Sequence, residues 1–380
     1  MRVLHLFSDW KWTGPAEPTV NLCRALGHEG VHVRLACRRP LKGYFQSIWS
    51  KAGERHVETT TEFHLNRYMN PVETLQDMIR IGPYVRARGF DLIHCHLSHD
   101  HVLGGWSSRI SRGRIPVIRT NHKAAPLKRT LGNRWLLRRW TDGLIEFSRR
   151  SAQANEESFQ MDRKRVLTVE GAVDLDRFDP EKVRTGVRAQ LGLQEGELLA
   201  GIVARVQRHR RFEVLLEAMA ILQERVPLLR LMVLGRGTHM REVAVEPAAR
   251  LGLHERVIFP GYRGEDYVDY LGAVDIKVFL VPGSDGTCRA VREAMALGKP
   301  VVAFGRGMLP EIVEDGRTGF LVEEDPRALA QALTQLAQNA NLRRDMGRAA
   351  REKALNRFSM AHQAAEVASF YRRIASCGTR

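Results

Sequence analysis

The chain has 380 residues, enough for two domains of ordinary size with separate cores, so it is not a small module stapled by disulfides or metal. Hydrophobic residues make up 44% and charged residues 27%, and no run approaches 18 apolar residues, so no transmembrane helix is predicted. The formal net charge of +16 favours polyanionic surroundings, whether nucleic acid, phosphorylated substrates or an anionic membrane face, without choosing among them.

Met1-Arg2-Val3-Leu4-His5-Leu6-Phe7 passes directly into a strand, without the charged region, apolar stretch and cleavage site of a signal peptide, and a cytoplasmic location is expected. Strands are predicted over 3–7 and 31–36, joined by a helix carrying Val20, Leu22, Cys23 and Leu26 that stops near 27–30. Further strands are predicted at 92–95, 116–120 and 143–147, with helices at about 72–88, 99–112 and 128–140. Such alternation builds a doubly wound parallel sheet, with its ligand crevice at the carboxyl ends of the strands. From 171 to 196 the pattern breaks into Asp, Pro, Gly and charged residues, which predicts a linker. A second series follows: strand 198–203, helix 212–224, strand 229–234, helix 239–251 and strand 257–259. The five cysteines, Cys23, Cys37, Cys95, Cys288 and Cys377, are odd in number and lack metal-ligand spacing, so reduced thiols and no metal site are expected.

The most informative stretch is next. Ile276 to Val281 is an apolar run that predicts a buried strand, Pro282, Gly283, Ser284, Asp285 and Gly286 form a turn, and a helix runs to about Leu297. Gly298 stops that helix and Pro300 starts the next strand. In this βαβ unit the helix start offers free N–H groups to a phosphate. Asp285 and Glu293 lie eight positions apart, roughly 12 Å along the axis, so they flank that phosphate and suit the hydroxyls at both ends of a nucleotide sugar. The final helices are predicted at about 326–356 and 359–375.

Glu293-Ala294-Met295-Ala296-Leu297-Gly298-Lys299-Pro300-Val301 resembles, position by position, the Glu-Ala-Met-Ala-x-Gly-x-Pro-Val segment of the retaining glycosyltransferases of GT-B type, the large "group one" family. In that family a first Glu precedes this one with seven residues between them; here it is Asp285, shorter by one methylene. The family's Gly-Arg-x-x-x-x-Lys-Gly, whose Arg and Lys clamp the donor diphosphate, is similar to Ala204-Arg205-Val206-Gln207-Arg208-His209-Arg210-Arg211, with Arg210 for the Lys and Arg211 for the last Gly. Arg keeps the charge and adds bidentate geometry toward phosphate. Gly235-Arg236-Gly237, Phe259-Pro260-Gly261-Tyr262 and Gly305-Arg306-Gly307-Met308-Leu309-Pro310-Glu311 resemble turns that face the donor. In the first half Gly14 remains of a Gly-Gly pair, and His94-Cys95-His96 matches a strand ending in His-x-His; His122 closes the next strand.

The resemblance implies an α/β fold of two facing doubly wound Rossmann-like domains with an interdomain crevice. An acceptor-binding domain would span 1–170, a linker 171–195, a nucleotide-sugar domain 196–358, and a terminal helix, 359–380, would return to the first domain. It implies retaining, metal-independent transfer of a hexose from a nucleotide sugar, UDP favoured over GDP, with no cofactor. The catalytic set would be His96, Asp285, Arg205 and Arg210. Donor binding falls to Glu293, Gly286, Thr287, Gly235, Gly261, Gly307, Met308 and Leu309, and acceptor binding to Gly14 and His122. The rival readings are a sugar-nucleotide epimerase, a phosphorylase, which would need a pyridoxal-bearing Lys that no segment singles out, and a non-catalytic polyanion binder. Nucleic acid is not expected, because the basic residues lack the aromatic interleaving of such modules.

Residues 127–140 interleave Leu131, Trp135, Leu136 and Trp140 with Lys128, Arg129, Arg134, Arg138 and Arg139, and 41–51 mix Tyr44, Phe45, Ile48 and Trp49 with Lys42 and Lys51. Basic amphipathic segments with Trp suit an anionic interface. The expectation is reversible docking on the inner membrane face and a glycolipid, lipopolysaccharide or polysaccharide acceptor of the cell envelope.

Overall fold

The computed structural model describes residues 1–41, 46–68, 70–110, 114–123, 125–281 and 285–377, the side chains of 285–287 and 377 excepted. The chain divides into two compact units, one comprising 1–172 and 360–380, the other 173–283 and 287–359.

The first unit is built on a seven-stranded sheet: β1 (Arg2–Phe7), β2 (His32–Cys37), β3 (Thr59–Thr60), β4 (Leu92–Cys95), β5 (Val117–Asn121), β6 (Gly143–Glu146) and β7 (Val166–Thr168), in the order β3-β2-β1-β4-β5-β6-β7. The pairs are parallel throughout. Parallel neighbours need long crossovers, here helices such as Ala16–His28, Pro71–Ala87 and Ser98–Ile110, which cover the sheet faces. That explains why β4, β5 and β6 are buried at every position, and β1 at all but its first, with no alternation of buried and exposed residues. The terminal helix Met360–Cys377 belongs to this unit, with Val367, Ala368, Phe370 and Tyr371 at most 1% exposed.

The second unit has six parallel strands: β8 (Leu198–Val203), β9 (Leu229–Leu234), β10 (Val257–Gly261), β11 (Ile276–Phe279), β12 (Val301–Phe304) and β13 (Gly319–Val322), in the order β10-β9-β8-β11-β12-β13. Its core joins Ile202, Leu231, Val278 and Val302 to Phe212, Leu216, Leu329 and Leu333 of the covering helices. Both units are therefore doubly wound, Rossmann-like domains.

Two expectations are corrected. The stretch expected to be a linker groups with the second unit from Val173 onward. Val187 is buried with Leu199, Leu234 and Tyr270, and the Arg184 N–H donates to Asp269 Oδ1 at 2.8 Å. The helix expected over 326–356 is two, Pro326–Gln338 and Ala340–Arg357, because Asn339 leaves the helical conformation and its side chain accepts the Leu342 N–H at 2.9 Å.

Candidate active site

In an open parallel sheet a crevice forms where the connections of two neighbouring strands run off in opposite directions. In the second unit that point lies between β8 and β11. The loop 204–211 leaves β8 there, and the helix Asp285–Ala296 follows β11. Backbone bonds zip the neighbouring loops together: Ala204 N–H to Leu234 O at 3.1 Å, Val206 N–H to Arg236 O at 3.2 Å, and Gly235 N–H to Gly261 O at 3.0 Å. This close approach accounts for the glycines. Gly235 has φ 149°, and a Cβ at Gly237 would stand 1.9 Å from Val206 O. Arg205 is exposed and makes no hydrogen bond or ion pair among the described residues, so its guanidinium is available to an anion. Arg210 is half-buried, Nη1 donating to Val281 O at 2.6 Å, and burial lowers its pKa.

Glu293, 3% exposed, sits on the helix after β11. The Tyr267 hydroxyl donates to its Oε2 at 2.6 Å, and Arg289 Nε lies 2.9 Å from Oε1. Burial, reinforced by the Glu293 charge, raises the Tyr267 pKa well above its ordinary value. Beneath them Lys277 is fully buried in β11, donating to Gly201 O at 3.4 Å; burial pushes it down to about 7, with Glu293 opposing. A carboxylate held from two sides keeps lone pairs for ligand hydroxyls while its own rotamer is fixed. Lys277 had a visible signal, one charge inside an apolar strand; Tyr267 had none, and Arg289 only its four-residue spacing from Glu293.

The side chains of Asp285 and Thr287 lie outside the described residues, as do residues 282–284; Asp285 and Gly286 begin the helix. Gly307 has φ 61°. Met308 and Leu309 are 1% and 0% exposed, so this loop offers a ligand its backbone and not these side chains.

In the first unit the equivalent point lies between β1 and β4. Gly14 is exposed in the turn ahead of the helix Ala16–His28. Asp100 ties the two strand ends, accepting N–H bonds from Ser8 at 2.6 Å, Leu97 at 2.7 Å and His96 at 3.3 Å, and burial pushes its carboxyl up to about 6. His96 is 2% exposed, with Nε2 2.9 Å from His5 Nδ1 and Nδ1 3.1 Å from His122 Nε2. Its ring is bonded inside the unit, and His122 beside it is 8% exposed. Burial drives His5 down to about 3 and His94 and His96 well below the ordinary range. Among the described residues the group able to hold a metal ion is His5, His94 and His96, ligand atoms within 4.8 Å, although these nitrogens already bond to one another, Tyr371 and Thr120.

The basic helix also departs from a uniform stripe. In Leu131–Arg139, Leu136 and Leu137 turn into the core, whereas Leu131 is 84% and Trp135 49% exposed. Trp135 and Trp106 pack on Trp140 with ring centroids 4.1 Å and 6.0 Å away. Arg109, Arg114, Arg138, Arg139 and Arg165 line an open recess of about 800 Å³ beside these rings, with Asp142, paired to Arg114, the one acid. In the other segment Ile48 is fully buried and Trp49 52% exposed; Lys42, Tyr44 and Phe45 lie outside the described residues. Among the described residues no helix is long and apolar enough to cross a membrane.

Comparison with known proteins agrees with this geometry. Residues 183–353 match the model of "Glycosyl transferases group 1" and residues 14–177 that of "Glycosyltransferase Family 4". A D-inositol 3-phosphate glycosyltransferase of Streptomyces scabiei is 32% identical over 74% of this chain and 68% of its own length. Among solved structures, a glycosyltransferase from Rickettsia africae superposes with TM-score 0.83 at 17% identity, covering 98% of each chain. Anabaena HepE in complex with UDP does so with TM-score 0.78 at 20% identity, covering 100% of each. Two doubly wound units, a buried Glu after β11, an exposed Arg after β8 and these matches lead to one assignment: the chain belongs to the group 1 glycosyltransferases.

Proposed function

We propose that the chain moves a hexose from a UDP-sugar to a cell-envelope glycolipid, lipopolysaccharide or polysaccharide, with retention of configuration and without a metal. The observation that carries the donor half is the convergence, at one sheet edge, of buried Glu293, the zipped glycine loops and the cations Arg205 and Arg210. Glu293 accepts from the ribose hydroxyls, Asp285 holds the donor hexose, and Arg205 and Arg210 take up the charge developing on the leaving diphosphate. With cationic charge supplied by arginine, no divalent ion is needed there, and the leaving phosphate receives the acceptor proton. UDP in the Anabaena relative supports the choice of base.

Glu293→Ala and Arg205→Ala test the donor site. Loss of one such electrostatic contact costs about 10²–10³ in turnover. Wild-type turnover in both folded variants would refute the assignment, whereas release of free UDP without transfer would refute the acceptor half alone.

The acceptor half rests on the recess of five arginines and exposed Trp135 and Leu131, a mixture suited to an anionic interface. Each basic residue near such a surface contributes about 1 kcal/mol. A second reading has support in the Streptomyces relative's name: a soluble phosphorylated acceptor would suit the same arginines. Sedimentation with anionic and neutral vesicles separates them. Wild type should pellet with anionic vesicles and the Arg134→Glu, Arg138→Glu, Arg139→Glu triple variant should not; no binding of wild type to either leaves the soluble acceptor.

A further inference from the structure

The first unit has a second concave site, on the sheet edge opposite its crevice. A cavity of about 500 Å³, within the size range of small-molecule sites, lies at the amino ends of β3, β2, β1 and β4. The crevice point between β1 and β4 is at the carboxyl ends, roughly 20 Å away along the six residues of β1, so the cavity is no part of the donor or acceptor site. Its apolar lining, including Val31, Val57 and Phe90, is buried. Its charged lining is cationic: Arg2, Arg24, Arg34 and Arg55, with Glu58 the one acid among the described residues there.

Two of these arginines are held in place. Arg34 Nη2 donates to Glu58 Oε2 at 2.8 Å, which occupies the one acid. Arg55 Nη1 donates to Lys51 O at 3.1 Å, and its guanidinium lies 5.2 Å from the Trp12 ring centroid. The guanidinium groups of Arg2, which lies over the Phe90 ring at 5.6 Å, and of Arg24 make no hydrogen bond or ion pair among the described residues. Helix carboxyl ends carry partial negative charge and attract cations. That accounts for Arg24, near the end of Ala16–His28, and for Arg55, just past Ile48–Gly53; it does not account for Arg2 and Arg34, which stand on strands.

The backbone adds a neutral donor. Along β2 the N–H groups alternate in direction: His32 N–H bonds to Met1 O at 2.8 Å, on the β1 side, and Leu35 N–H to Glu58 O at 2.9 Å, on the other. Val33 has the same sense as Leu35, but β3 reaches back only to Thr59, opposite Leu35. The Val33 N–H is therefore without a partner among the described residues and opens on the cavity that Val33 lines. The turn before it is fixed from the terminal helix, Arg372 Nη2 donating to Glu29 O at 2.8 Å.

We propose that this cavity binds a small phosphate monoester with an apolar or aromatic body. The three terminal oxygens of such a phosphate accept from several guanidinium forks at once, whereas a carboxylate is matched by one. Val33 N–H supplies a further donor, and the valines and Phe90 receive the body. Arg34 and Arg55 are already anchored, so ordering them costs little on binding.

Calorimetric titration of the full chain in phosphate-free buffer at pH 8, where the ester is a dianion, tests the site. Phenyl phosphate should bind saturably and more tightly than inorganic phosphate, and phenol should not bind. Arg2→Gln and Arg24→Gln should each weaken phenyl phosphate roughly 10- to 100-fold, the range for losing a hydrogen bond to a charged group. Gly27→Trp should abolish binding: Gly27 lines the cavity and a Cβ there meets nothing within 4 Å, so the indole enters without straining the helix and the thermal midpoint should hold. Absence of binding by both phosphates overturns the proposal, as does affinity for phenyl phosphate that is unchanged in Arg24→Gln or in folded Gly27→Trp. Binding to phosphatidic acid vesicles without binding of phenyl phosphate also overturns it, because the arginines would then be a surface patch. Neither probe nor readout involves sugar transfer, so failure here leaves the glycosyl-transfer reading untouched.

Discussion

Arg211 occupies a backbone conformation that its own chemistry disfavours. Its φ of 62° is left-handed, at the position where the family motif has Gly and immediately before the helix Phe212–Arg225. An L-residue there costs about 1–2 kcal/mol. The compensation is small: its side chain, 42% exposed, lies 3.2 Å from Glu213 and 3.7 Å from Glu324, pairs worth under about 1 kcal/mol at such exposure. Arg211→Gly should therefore raise stability by up to about 1 kcal/mol, and Arg211→Val should lower it, because a branched Cβ is least tolerated at positive φ. Urea midpoints ranking Gly above Arg above Val are expected; a Gly variant below wild type would show that the ion pairs outweigh the strain. The converse holds at Gly237, where Ala would press on Val206 O and cost about 1–3 kcal/mol or more. Glycine at 237 is required by backbone approach, and its absence at 211 is tolerated at a cost.

Asn339 shows how one residue divides an element. Periodicity runs unbroken across 326–356, yet the Asn339 side chain satisfies the Leu342 N–H and lets a second helix start at Ala340. Asn339→Ala should cost about 1 kcal/mol, read as a lower thermal midpoint. Unchanged stability with higher helicity would mean the two helices fuse without penalty. Central elements were legible because burial on both faces leaves an apolar run: β8 and β9 are the predicted strands, end to end. Thr59–Thr60 and Val166–Thr168 were not, being short strands at the two edges of the first sheet. The same division applies to the candidate site. Gly235 and Gly237 were readable because tight turns demand glycine locally, and Glu293 because residues 293–301 resemble the family segment, whereas the groups holding Glu293 and His96 are contacts across 26 residues, Tyr267 to Glu293, and 91 residues, His5 to His96. Pairings of that kind depend on tertiary packing that no local pattern encodes.

Across the molecule, burial of titratable groups sets opposing limits to stability as pH changes. His5, held down to about 3, and His94, His96 and His101, also lowered by burial, stay neutral when folded and gain protons near 6.5 when unfolded. Their contribution is complete above 6.5 and is lost as pH falls toward 3, while the net charge of +16 grows and adds repulsion. Glu146 works the other way. It is fully buried, accepts from Asn121 Nδ2 and from Asn155 Nδ2 at 2.6 Å, and burial pushes its carboxyl up to about 8 despite those bonds. The folded chain binds this proton more tightly than the unfolded one, whose carboxyl titrates near 4.5, so its contribution is present below 4.5 and is lost as pH rises through 8. A shift of this size corresponds to several kcal/mol at roughly 1.4 kcal/mol per unit. Glu146→Gln keeps the shape and an accepting oxygen but removes the charge. The variant should match wild type within about 1 kcal/mol at pH 5 and exceed it at pH 9, measured as urea midpoints at both values. An equal offset at the two pH values would mean that Glu146 is ionised in the folded chain and that Asn121 and Asn155, not a proton, carry its burial.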